Sequence, residues 1–126
     1  MLINAMLMIM PLLLAASPVA QALSPLIGTW TEINGPGAAR IAACAKAPDR
    51  FCAVGLARRT SDGAARVETG TVLSDVAVTG PNQWRGTYHD GKRLLPATLR
   101  MIDRDVVEMK VCIFVLCQSA RYRRDA

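Results

Sequence analysis

Short β-branched and apolar runs, broken by turn formers about every ten residues, leave this chain little choice beyond antiparallel β-structure. The breaks read "GPG", "APDR", "SDGA", "GPN", "HDGK" and "DR", and short polar connections of this kind join neighbouring strands as hairpins. Strands are expected near 28–34, 38–44, 51–59, 65–67, 71–78, 84–88, 93–102, 105–112 and 117–124, the fourth of them weak. Period-two alternation runs through several: Ala97, Leu99 and Met101 oppose Thr98 and Arg100, and Val107, Met109 and Val111 oppose Glu108 and Lys110. Such strands bury one face and wet the other. Seven to nine of them form either a sandwich or a small up-and-down barrel, and closure removes the edges that invite aggregation. The expected fold is all-β, an antiparallel barrel of about eight strands. Pro96 interrupts one run and is expected at a bulge or bend.

The first 25 residues carry no charged side chain. "MLMIMPLLLAA" followed by "SPVAQA" reads as a signal peptide over 1–22, with its helical apolar core and cleavage after Ala22 in a small-x-small site. Pro11, Ser17, Pro18 and Gln21 break the run too often for a membrane span, which needs roughly 20 apolar residues. The remaining 23–126 is one barrel domain, large enough to bury about two-thirds of its unfolded surface. No stable span is expected after cleavage, and the protein is expected to be a monomer in the bacterial periplasm or outside the cell.

All four cysteines, Cys44, Cys52, Cys112 and Cys117, follow the leader. An even count behind an export signal favours disulfides. Zinc would ask for shorter brackets and histidine support, and the chain has one histidine, His89; no metal or other cofactor is expected. Three connectivities remain open from the sequence. The strand map favours the local pairs, Cys44 with Cys52 and Cys112 with Cys117, each across a hairpin neck.

The second bracket encloses Ile113, Phe114, Val115 and Leu116, four large apolar residues where a turn ordinarily carries Gly, Asn or Asp. A bridge at the neck would free the tip from needing turn chemistry. Because burial is worth about 1.5–3 kcal/mol for each such side chain, these four are expected to fold over the barrel end and complete its core. The other reading makes them a portal or contact patch.

"PLIGTWTE", "RIAACAKAPDRFCAVG", "NQWRGTYHDGKRLLPATLRM" and "VEMKVCIFVLCQSARYRR" together resemble the bacterial exported domain-of-unknown-function family 2147, over almost all of the chain after the leader. The resemblance implies a lipocalin-like barrel. Its opening Gly28-x-Trp30 is similar to the lipocalin start, in which the indole closes one barrel end. It implies no activity.

Chemistry finds little support in the sequence. His89 lies in "YHDGK", read as an exposed hairpin turn, and Asp103 and Asp105 flank a turn that they are expected to shape. No nucleophile elbow, phosphate loop or nucleotide fingerprint occurs, so the chain is read as non-enzymatic. The net charge of +5, with 12 arginines among 15 basic residues, does not point to nucleic acid, because the arginines are scattered and interleaved with acids. Two functions remain. In the first, the barrel binds a small apolar ligand lined by Trp30, Trp84, Tyr88 and Phe114. In the second, it is a rigid support whose loops bind an envelope protein or polymer, with Arg58, Arg59 and Arg121 to Arg124 meeting an acidic surface.

Overall fold

The computed structural model describes residues 24–57 and 67–126. Eight strands follow one another: β1 (Gly28–Glu32), β2 (Ala38–Cys44), β3 (Ala47–Leu56), β4 (Glu68–Gly80), β5 (Gln83–Asp90), β6 (Arg93–Asp103), β7 (Val106–Ile113) and β8 (Leu116–Arg124). Each pairs antiparallel with the next, and β8 pairs with β1 through Trp30↔Arg124, Thr31↔Arg123 and Glu32↔Tyr122, so the sheet closes into a barrel. The expected weak strand at 65–67 has its first two residues outside the described chain, and Val67 precedes β4.

The period-two runs point as the alternation requires. Ala97 and Leu99 on β6 and Val107 on β7 are buried in the lumen with Trp30, Ile41, Leu73 and Trp84, whereas Arg100 and Lys110 face solvent. Turn chemistry supports the register. Pro81 followed by Asn82 at φ 56° is the pairing a type II turn favours, and Gly91 takes φ 60° between β5 and β6.

Two prolines behave differently from expectation. "PDR" at 48–50 reads as a turn, yet these residues lie within β3 as an insertion, with Cys44 opposite Ala47 and Ala43 opposite Phe51. The turn proper shrinks to Ala45 and Lys46, and the extra residues make a wide bulge. Pro96 is not at a bulge. It sits opposite Thr87 in unbroken β5–β6 register, one residue beyond the last β6–β7 pair, Ala97↔Val111. Its missing N–H therefore costs no bond in the β6–β7 ladder.

β4 bends at Asp75, which has φ 53° and lies where the β4–β5 register shifts between Ser74 and Ala77. The kink brings β4 onto Gly86 of β5. A Cβ there would lie 2.6 Å from Val76 Cγ2 and 2.9 Å from the Ser74 carbonyl oxygen, so the bend depends on glycine at this position.

Both local disulfides form: Cys44–Cys52, with Cα atoms 4.9 Å apart, and Cys112–Cys117, 4.0 Å apart. Cys112 and Cys117 stand directly opposite in the ladder. Cys44 instead reaches diagonally past the β3 bulge, since the residue opposite Cys52 is Ala42.

Candidate ligand site in the barrel lumen

The two barrel ends are built differently. At one end the chain before β1 crosses beneath the strands, placing Leu26 wholly inside and Trp30 next to it, about 1% exposed. Trp30 Nε1 donates to the Leu26 carbonyl at 2.9 Å. The Arg124 guanidinium lies over the indole, 4.3 Å from its centroid, and donates to the carbonyls of Ile27, at 2.8 Å, and Pro25. A cation stacked on the ring, tied to these carbonyls and 3.7 Å from the Asp105 carboxylate, holds that end shut. This is the plugged end, and Gly28-x-Trp30 closes it.

Above the plug lies a cavity of about 160 Å³, walled chiefly by Trp30, Ile41, Leu73, Leu99, Met109 and the rings of Tyr88 and Tyr122, with Ala39 and Ala53 filling out the circle. Its existence follows from small residues facing inward on β2 and β3, where larger ones would meet the opposite wall. A second hollow of about 430 Å³ lies toward the other end, bounded by Leu95, Val111, Ile113, Leu116, Gln118 and the Asp90–Arg93 ion pair. Both share Tyr88 and Met109 as walls. An apolar chamber therefore neighbours one carrying a cation, an anion and an amide.

Tyr122 has its hydroxyl pKa pushed up to about 12, first by burial, then by the nearby Glu32 carboxylate and by Tyr88. Burial penalises the phenolate, and a neighbouring negative charge adds to the penalty. A folded-state value above the ordinary 10 means that Tyr122 favours the folded state fully below pH 10 and gives that contribution up as pH rises from 10 through about 12. Alkaline difference absorbance of the phenolate band should show a late-ionising tyrosine that Tyr122→Phe removes, and the variant should lose less stability than the parent between pH 10 and 12. A Tyr122→Phe protein with the parent's titration curve would contradict the assignment.

The four side chains expected to line a ligand fall in three places. Trp30 and Tyr88 bound the inner cavity. Trp84 is buried in the core without bounding either hollow, and its indole nitrogen has no hydrogen-bond partner among the described residues. Phe114 stands outside, 97% exposed, with Val115 at 92% and Leu116 at 76%. The hairpin tip thus does not fold over the barrel end. With Cys112 and Cys117 directly opposed and Ile113 paired to Leu116, only Phe114 and Val115 remain to make the turn, and two residues have no slack to reach back. Sequence reading missed Tyr122 and Met109, although inward parity along β7 and β8 marks both.

His89 is not in a turn. It lies in β5, half-buried, with Nε2 2.7 Å from Ser74 Oγ, on the outer wall and away from both hollows. Asp103 Oδ1 accepts from the Asp105 amide at 2.8 Å and shapes the β6–β7 turn. Of the arginines expected to form an acidic-surface contact, Arg58 and Arg59 lie outside the described residues, Arg121 is bonded to Glu108 at 3.2 Å, Arg123 is exposed on β8, and Arg124 is committed to the plug. Among the described residues no cluster of His, Cys, Asp or Glu could hold a metal ion, and no helix is long and apolar enough to cross a membrane.

No protein-family profile, curated protein or solved structure matches this chain.

Proposed function

We propose that the chain is an exported, non-catalytic binding protein that carries a small apolar ligand in its lumen, in the periplasm or another oxidising extracytoplasmic space. The observation that carries the proposal is the pair of hollows meeting at Tyr88 and Met109. The inner one, about 160 Å³, is the size of an apolar cavity that takes up a single aromatic ring. Alone it is too small for a larger molecule, but with the outer hollow it enters the range of roughly 300–1,000 Å³ typical of ligand pockets. The chemistry fits an amphiphile whose hydrocarbon part lies against Ile41, Leu73 and Leu99 and whose polar end meets Arg93 or Gln118. Two disulfides support the compartment, as does the apolar leader. Kinship with the exported family of unknown function 2147 belongs to the same proposal and rests on the sequence resemblance together with the eight-stranded barrel.

Native mass spectrometry of the oxidised protein, recovered from cells expressing the full chain, should show an added lipid-like mass. An uncharged naphthylamine dye should bind and quench the emission of Trp30, which walls the cavity. Trp84→Phe should keep that quenching and Trp30→Phe should lose it. A bare mass, combined with no dye uptake, would end the carrier reading.

A further inference from the structure

We infer that the β7–β8 hairpin tip is a docking finger for an anionic lipid bilayer. Eight large hydrophobic side chains are exposed among the described residues, and six of them, Val67, Leu94, Ile113, Phe114, Val115 and Leu116, lie at the end of the barrel opposite the plug. Four of the six are consecutive and form the tip. Phe114 adopts φ 55°, a conformation in which glycine or asparagine is favoured and a bulky residue is strained. Turn chemistry therefore does not explain the aromatic residue, and the bridge between Cys112 and Cys117 holds the turn despite it.

The tip's dimensions and charge select the partner. Two residues beyond the bridge extend about 7 Å at the rise of a strand, which matches the roughly 5–10 Å to which interfacial apolar groups enter a bilayer. A convex tip of four side chains falls short of the roughly 800 Å² that each partner contributes to a stable protein interface, whereas a bilayer needs no complementary shape. From Met109 to Ala120 the hairpin has no acidic side chain and carries Lys110, and the adjoining β5–β6 turn carries Lys92. Two acids near this end are engaged by arginines, Asp90 by Arg93 and Glu68 by Arg40, and Glu32 accepts from the Gly37 amide at 2.9 Å. Long basic side chains beside an apolar tip suit phosphate headgroups above acyl chains. Phe114 and Val115 bound neither hollow, whereas Ile113 and Leu116 also border the outer one, so a test confined to Phe114 and Val115 does not depend on what the lumen holds.

The test is flotation of the oxidised protein, from cells expressing the full chain, with vesicles of equal parts phosphatidylglycerol and phosphatidylcholine, and with phosphatidylcholine alone. The protein should float with the anionic vesicles and much less with the neutral ones. Phe114→Ser combined with Val115→Ser should weaken that binding by about tenfold or more while leaving dye uptake by the lumen unchanged, which shows that the barrel is folded. Phe114→Trp should retain binding and give a blue-shifted indole emission on vesicles. Equal flotation with and without the serine substitutions, equal flotation on neutral and anionic vesicles, or an indole emission that vesicles do not move would each overturn the inference. So would serine substitutions that abolish self-association of the protein while flotation never occurs, because the partner is then a second copy of the chain.

Discussion

Trp30→Ala should lower the stability of the oxidised protein by about 3–5 kcal/mol, read as a fall in the urea midpoint. Trp30 is the largest side chain completely enclosed by the fold, and its removal opens a void continuous with the cavity above it. It also takes away the donor to the Leu26 carbonyl and the ring beneath Arg124, so a buried acceptor loses its donor and the cation loses one of its contacts. Trp84 supplies the contrast, being nearly as buried but with its indole nitrogen unpaired among the described residues. Replacing it with phenylalanine keeps an aromatic ring and removes a donor that gains nothing, so Trp84→Phe should shift stability by less than about 1.5 kcal/mol. Equal losses for Trp30→Phe and Trp84→Phe would show that the plug contributes nothing beyond volume.

Reducing both disulfides should produce the second large effect. The loops they close contain nine and six residues, and constraining the unfolded chain over such lengths is worth about 2–3 kcal/mol for each bridge. Together the losses approach the whole stability of a small domain, commonly about 5–15 kcal/mol, so the reduced protein should unfold at a markedly lower temperature. The two bridges should not be equivalent. Cys44→Ala with Cys52→Ala leaves the β3 bulge without its tie to buried Cys44, whereas Cys112→Ala with Cys117→Ala leaves a directly opposed pair in an intact ladder. The first double variant should therefore lose more than its loop length alone predicts, and the second should release the backbone at Phe114. Calorimetry of the two double variants checks the ranking, and identical transitions would contradict it.

Much of the architecture was legible because alternation at Ala97, Leu99 and Met101, and at Val107, Met109 and Val111, says directly which side of a strand is dry. The misreadings share a cause: local residue type was allowed to speak for backbone geometry. Pro48 and Asp49 look like a turn but occupy a bulge, and nothing in their identities reveals that Cys44 lies opposite Ala47. For the hairpin tip, the benefit of burying four apolar residues says nothing of the length of chain left to bury them. Once the bridge formed between opposed residues, two were left, and the geometry overruled the hydrophobic preference. The candidate site was the least legible part. A cavity is a shortfall of volume summed over many strands, and Ala39 and Ala53 reveal it only after the ring has closed and set them around one space with Leu99 and Tyr122.

Seven of the eight strand pairings join neighbours in sequence, but the last joins β1 to β8, with Thr31 bonded to Asp125 across 94 positions of chain. Each hairpin can zip by itself over a short loop, whereas the seam must wait for the two ends of the domain to meet, and its entropic cost comes before its reward. The Arg124 clamp sits on that seam, so the rate at which newly made chains mature should be governed there, at the meeting of first and last strands.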